Sequence, residues 1–428
     1  MAEREERAAK GSSGPGDAGA ERARGAFQAE RRPGLGDARE RDCLEEDEQA
    51  DRRDSEGGQP RRHDAEQVQR VTGAVPSAAD ESADESGFPP KNLPEGAGWT
   101  TFKPLSSFTV GEVCRSAAEK LRERNIQEPR NNAELLVLHV LGLERAQLLR
   151  DWNEPFPAEH WERLQALLAR KAAGEPVQYL IGEQWFYGLP FAVSPAVLIP
   201  RPETELLVEA VLEAADRLWP ATAGEAPPDG PAAAAGPGGG NPAAGPTVVD
   251  VGTGSGAIAV TLAALRPRWR VCASDLSPDA LAVARANAAR HGAAARMTFV
   301  RGDLLGPFAR PRPGAGDDAA GGVAGLRIDV LVSNPPYIPA GDIAGLQPEV
   351  RDHEPRLALD GGDDGLTPYR RMAEQLARLS ALPRIVGFEL GIGQAQAVAD
   401  LLRGIGAWRE VRIIPDYAGI DRHVLAVE

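Results

Sequence analysis

Cysteine is scarce in this chain. Cys43, Cys114 and Cys272 are the three present in 428 residues, far apart and in no C-x-x-C pair. So small and dispersed a set argues against a disulfide framework and a zinc site, and it fits a reducing, cytoplasmic compartment. The six histidines form no H-E-x-x-H or comparable pattern, so no metal site is expected. No stretch is apolar enough to span a bilayer and the N-terminus is charged rather than signal-like, so no membrane association is expected. Positive charge is also short: Lys and Arg number 48 against 63 Asp and Glu, a net charge of −15. Such a balance is a poor basis for non-specific nucleic-acid binding, which needs clustered Lys and Arg. The length suffices for two domains with cores of their own.

The composition divides the chain. Residues 1–105 are dense in Glu, Asp, Arg, Gly, Ser and Ala and poor in aromatics, a mixture that cannot bury enough apolar surface to offset its ordering entropy. They read as a disordered, dispensable low-complexity tail. Residues 106–175 read as a small helical domain: Thr109 and Glu112 form a capping-box pattern, and Val113, Ala117 and Leu121 recur at helical spacing. Residues 176–196 carry β-rich runs punctuated by Gly182 and Gly188 and read as a hairpin connector. From 197 onward strands alternate with helices, which predicts an α/β domain with a mainly parallel, doubly wound sheet. Two stretches inside it, 221–246 and 311–326, are almost wholly Ala, Gly and Pro and read as loop insertions without core elements.

Two motifs carry chemistry. Asn334-Pro335-Pro336-Tyr337 directly follows the apolar run Ile328–Val332. Proline cannot donate to a sheet ladder, so the strand stops there in a rigid turn. The turn presents a side-chain amide, the Pro335 carbonyl and an aromatic ring, a set suited to gripping a planar –NH2 group. The Asn334 oxygen and the Pro335 carbonyl would each accept one N–H, with Tyr337 packed on the planar group. The second motif is Asp250-Val251-Gly252-Thr253-Gly254-Ser255-Gly256, between a strand-like run and a helix-like one. Its glycines allow a tight turn and close approach of a ligand to the backbone. Asp275 ends the next strand-like run, where α/β nucleotide sites keep a ribose-binding carboxylate, and Asp303 follows a third, placed to accept from an adenine amino group. The pattern is G-x-G-x-G, with nothing basic nearby to pair with a pyrophosphate. Both points favour S-adenosyl-L-methionine over a dinucleotide.

Taken together, Leu198–Glu205 (L-I-P-R-P-E-T-E), the glycine motif, Asp275, Ser333–Ile338 (S-N-P-P-Y-I) and Ala418–Arg422 (A-G-I-D-R) resemble the peptide chain release factor N(5)-glutamine methyltransferases over about residues 107–428. The resemblance implies a seven-stranded, Rossmann-like methyltransferase sheet behind a helical substrate-recognition domain. It implies that Gly252, Thr253, Gly254, Ser255 and Gly256 hold the methionine end of S-adenosyl-L-methionine, that Asp275 binds the ribose, and that Asp303 and Leu304 flank the adenine. Leu304 replaces an aromatic residue common in the family. Asn334, Pro335, Pro336 and Tyr337 would form the acceptor site, with Asn334 also beside the cofactor. The implied substrate is the glutamine of a Gly-Gly-Gln loop in class 1 release factors. N-P-P-Y also occurs in adenine and cytosine amino-methyltransferases. Those need a basic channel and room for a flipped base, and the acidic balance argues against them. A cofactor-binding scaffold without activity is disfavoured by the intact tetrapeptide.

Overall fold

The computed structural model describes residues 108–220, 245–309 and 323–428. The tail read over 1–105 lies outside these residues, as do all but the ends of 221–246 and 311–326. The described part begins with helices: α1 (Val110–Glu123), α2 (Pro129–Leu141), α3 (Arg145–Arg150), α4 (Trp161–Ala172) and α5 (Val177–Ile181). Thr109 Oγ1 accepts the Glu112 N–H at 3.2 Å and Glu112 Oε2 accepts the Thr109 N–H at 2.8 Å, so α1 starts in a reciprocal capping box. Leu121, Leu136, Leu148 and Leu164 meet in one core. The segment Pro176–Gly182, expected as a β-rich run, is instead the helix α5. Val177 and Leu180, three residues apart, both enter the helical core, and Gly182 closes the turn at φ 76°. Burial at helical spacing has overridden a β-leaning composition.

The hairpin consists of β1 (Glu183–Phe186) and β2 (Leu189–Ala192), with Phe186 opposite Leu189. Tyr187 at φ 51° and Gly188 at φ 74° make the two-residue turn, whose positive dihedrals match the strand twist. The Tyr187 N–H donates to Glu205 Oε1 at 2.8 Å, which fastens the turn to α6 (Pro202–Leu218). At the other end, Asn287 of α8 (Pro278–Arg290) accepts the Ala192 N–H at 2.8 Å and donates to the Ser255 carbonyl at 2.8 Å. One buried carboxamide thus joins the hairpin to the glycine loop.

The sheet has seven strands in the order β5-β4-β3-β6-β7-β9-β8. They are β3 (Thr247–Val251), β4 (Arg270–Asp275), β5 (Met297–Arg301), β6 (Val330–Ser333), β7 (Ile385–Glu389), β8 (Glu410–Pro415) and β9 (Asp421–Val427). The first five in that order are parallel, and β9 runs antiparallel to both β7 and β8. Helices α7 (Ala257–Leu265), α9 (Pro348–His353), α10 (Thr367–Leu376) and α11 (Ala395–Ile405) complete the order. One apolar layer joins Leu207, Val211 and Leu262 to the sheet; the other joins Tyr369, Met372 and Leu402 to its opposite face. Strands buried on both faces read as continuous apolar runs, as β3 and β6 do. The end of the second insertion departs from expectation: Val323 is buried in the second layer, because the chain must re-enter the core before β6.

Candidate active site

Between β3 and β6 the connections turn to opposite sides, since β4 and β5 lie on one flank and β7 on the other. Such a switch point opens a crevice at the carboxyl ends of the strands. There the protein has a cavity of about 630 Å³. Strand register brings the two motifs together. Val251 pairs with Ser333 and also with Ser274, so Gly252, Asn334 and Asp275 leave three adjacent strands side by side.

The glycine loop is held from beneath. Asp250 is 1% exposed, and its Oδ2 accepts the Thr253 hydroxyl at 2.7 Å. Burial pushes the Asp250 carboxyl up to about 7, and the Thr253 hydrogen bond only partly opposes this. Gly252, Gly254 and Gly256 all have positive φ, of 72°, 55° and 83°. A Cβ at Gly256 would sit 3.0 Å from Val260 Cγ2 and 3.2 Å from Ala284 Cβ. The Gly254 N–H donates to Asp275 Oδ2 and the Ser277 N–H to Asp275 Oδ1, both at 2.9 Å. Burial raises the Asp275 carboxyl, while these backbone donors hold it back. Two backbone bonds leave lone pairs on both oxygens for a ligand.

Gly252, Thr253, Gly254, Ser255, Asp275, Asp303, Leu304, Asn334 and Pro336 all line the cavity, whereas Gly256, Pro335 and Tyr337 do not. For Gly256 the reason is its position as the N-cap of α7. For the tetrapeptide it is alternation along a non-helical chain: the side chains of Asn334 and Pro336 face the cavity, so those of Pro335 and Tyr337 turn away. Tyr337, expected to pack on the planar target group, does not line this cavity. Its ring packs against the second core layer, and its carbonyl accepts from Gln394 Nε2 at 2.9 Å. The Pro335 carbonyl accepts no hydrogen bond among the described residues.

Two arginines reach the cavity although no basic residue stands near the glycines in sequence. Arg201 pairs with Glu354 and Arg371 pairs with Asp303. Both are neutralised by a carboxylate, so neither is a free pyrophosphate partner. The Glu354 pair also secures the cover: its Oε2 accepts the Ile199 N–H at 3.2 Å, which ties the end of α9 to the segment leading into α6. Ile338 and Asp360 form a parallel bridge, and the Gly361 N–H donates to the Ile338 carbonyl at 2.8 Å. Residues 355–362 thereby form part of the cavity wall.

The family model described as PrmC N-terminal domain matches residues 112–182, and that of a methyltransferase domain matches residues 248–311. A protein of Moorella thermoacetica named release factor glutamine methyltransferase is 42% identical over 319 residues, covering 74% of this chain and 98% of that one. The chain belongs to the release factor glutamine methyltransferase family. A family member from Chlorobaculum tepidum is 42% identical over 74% of this chain and 96% of its own, and one from Bacillus subtilis is 39% identical over 74% and 98%. The protein is therefore a methyltransferase built on a Rossmann-like sheet.

Parts of three of the motifs, Leu198 to Thr204, Gly252 to Ser255, and Asn334 with Pro336, line the cavity together with Asp275. Sequence reasoning missed what holds them: Asp250 under the loop, Asn287 behind it, and Glu354 on Arg201. Asp250 and Arg201 stood inside quoted motifs. Asn287 and Glu354 carried no local signal, because their partners are distant in sequence.

Proposed function

We propose that the protein transfers a methyl group from S-adenosyl-L-methionine to the side-chain amide nitrogen of the glutamine in the Gly-Gly-Gln motif of class 1 peptide chain release factors. The observation that carries this reading is the placement of Asn334 in one cavity with the glycine loop and Asp275. The lining suits a nucleoside with a cationic sulfonium tail and no phosphate better than a dinucleotide. It offers a carboxylate for ribose hydroxyls in Asp275, small residues at the loop, apolar Leu276 and Leu304, and no unpaired cation.

When bound, S-adenosyl-L-methionine supplies a methyl group electrophilic enough that no acid is needed. The chain's task is then positioning and charge placement. An amide nitrogen is a weak nucleophile because its lone pair is delocalised into the carbonyl. Asn334 Oδ1 and the Pro335 carbonyl accept its two N–H bonds and aim the nitrogen into the cavity. As positive charge grows on nitrogen, the same acceptors stabilise it, and once the methyl has left sulfur the surplus N–H proton passes to water. Pro336 fixes the turn, and Tyr337 anchors it from behind through its carbonyl bond to Gln394. Asp303 keeps a partly exposed carboxylate beside Leu304 for an exocyclic amino group, even while paired with Arg371.

A reducing cytoplasm is the proposed setting; Cys114 and Cys272 are free and buried, and no helix among the described residues is long and apolar enough to cross a membrane. The test is incubation with labelled S-adenosyl-L-methionine and, separately, a class 1 release factor, DNA and RNA. Label on the Gly-Gly-Gln glutamine, located by mass spectrometry, is the expected result. Label on nucleic acid with none on the release factor would overturn the reading.

A further inference from the structure

From the cavity wall at Asn334 and Thr204 a polar chain leads into the buried interior. Asn334 Nδ2 donates to Thr204 Oγ1 at 3.3 Å. Thr204 lies in the first turn of α6 and is 4% exposed. The Thr204 hydroxyl is in turn hydrogen-bonded to the carboxyl of Glu389. The sheet register makes this possible: Ser333 pairs with Phe388, so Asn334 and Glu389 leave neighbouring strands together. Glu389 is 1% exposed, and its Oε2 has no hydrogen-bond partner among the described residues.

The direction of this chain follows from proton counting. An ionised carboxylate can only accept, and a hydroxyl has one proton. Thr204 must therefore donate to Glu389, which leaves its oxygen as an acceptor. Asn334 must then turn its NH2 toward Thr204, and Oδ1 faces the other way. A carboxamide is nearly symmetric in shape, so sterics alone do not choose between its two orientations. We propose that Glu389, acting through Thr204, is the positioning group that holds the Asn334 oxygen toward the methyl acceptor and so selects an –NH2 donor as substrate. This rests on the reading of Asn334 as the acceptor for the target amide.

Protonation of Glu389 undoes the selection. A neutral Glu389 can donate to Thr204, whose own proton then turns to Asn334. The carboxamide flips, and its NH2 meets the NH2 of the substrate. Six groups face Glu389: Arg201 and Glu203 at the start of α6, Tyr337, Tyr369 of α10, and Arg422 and His423 of β9. Arg201 and Arg422 are committed to Glu354 and Asp416, and burial holds His423, with Nε2 3.9 Å from Glu389 Oε2, down at about 4. Burial outweighs the Thr204 hydrogen bond and the pull of Arg422 and Arg201, and it raises the Glu389 carboxyl to about 7. Turnover should accordingly fall as pH drops through neutrality.

The experiment measures kcat, KM and the pH profile of the full chain on a release factor, with cofactor affinity by calorimetry as the control. Thr204→Ser keeps the hydroxyl and should stay within about threefold of wild type. Thr204→Val keeps the shape and should lower kcat at least tenfold with KM and cofactor affinity unchanged. Glu389→Gln should lower kcat similarly and remove the acidic limb of the profile. If Thr204 acts through Asn334, adding Thr204→Val to Asn334→Ala should cost no further activity. Wild-type kcat and pH profile in Thr204→Val, alongside a slow Asn334→Ala, would overturn the relay and leave the amide clamp standing. Wild-type turnover in Asn334→Ala would overturn the clamp itself. Should Glu389→Gln fail to fold, Thr204→Val alone decides.

Discussion

At the scale of single residues, the site combines groups that act on a ligand with groups that are strained by burial. Asn334 belongs to the first kind. Its contribution belongs mainly to the transition state, so Asn334→Ala should lower kcat by roughly 10²–10³, as loss of one preorganised electrostatic group does, with little change in KM. Mass spectrometry of the Gly-Gly-Gln peptide reports the rate, and a wild-type rate would reduce the tetrapeptide to a turn. Asp250 belongs to the second kind. Its Oδ1 has no hydrogen-bond partner among the described residues, and burial raises the carboxyl to about 7, against about 4 in an unfolded chain. A group whose folded value is the higher one gains a proton on folding. Its favourable contribution is complete below about pH 4 and is lost as pH rises through about 7, at about 1.4 kcal/mol for each unit of separation. Asp250→Asn retains an acceptor for Thr253 and carries no charge. Its melting temperature relative to wild type should therefore be higher at pH 8 than at pH 5. An offset independent of pH would mean that Asp250 does not titrate in this range.

At the scale of elements, the turn after β6 and the cover beyond it are one packed unit. Gly365 has φ +74°, and a Cβ there would lie 2.2 Å from the Tyr337 carbonyl oxygen. Gly365→Ala combines left-handed strain of at least about 1 kcal/mol with a backbone clash that no rotamer relieves. It should displace the tetrapeptide, lowering the melting temperature and kcat together; an unchanged kcat would detach the cover from the acceptor turn. The same cover is pinned at its other end by the Glu354–Arg201 pair, in which the Glu354 side chain is 2% exposed. Removing one partner of a buried pair leaves an uncompensated charge, so Glu354→Ala should destabilise by about 3–5 kcal/mol in urea unfolding. A loss below about 1 kcal/mol would show that solvent reaches Arg201 easily, as at exposed pairs.

At the scale of the whole molecule, Phe186 and Phe191 of the hairpin belong to the first apolar layer of the sheet, whereas the helical region keeps a core of its own and meets the rest through a small apolar cluster around Tyr179 and through polar contacts. Tyr179 of α5 donates to the Val197 carbonyl at 2.6 Å, and Lys171 of α4 pairs with Glu349 of α9 at 2.5 Å with its own side chain fully buried. Among the described residues, which start at Phe108, the interactions given above suffice to build the site. A chain beginning at Ser106 should therefore keep its turnover on a release factor. A drop of more than about tenfold, or 1.4 kcal/mol in the barrier, would bring the first hundred or so residues into substrate binding.

The local sequence determined the elements whose signals are local. The capping box at Thr109 and Glu112 gave the start of α1, apolar runs gave β3 and β6, and Pro335 and Pro336 gave the end of β6. Each rests on sterics or hydrogen bonds within a few residues, so no partner from afar is needed to read it. Segment 176–182 failed as a strand because Val177 and Leu180 find a helical core that only the tertiary fold supplies. The direction of Tyr337, the ion pairs that occupy Arg201 and Arg371, and the approach of Asn287 to Ser255 were likewise decided in three dimensions. So was the line from Glu389 through Thr204 to Asn334, which joins three segments by strand register and helix docking. Burial, charge pairing and hydrogen-bond direction depend on neighbours distant in sequence, and a motif names its residues without naming those neighbours.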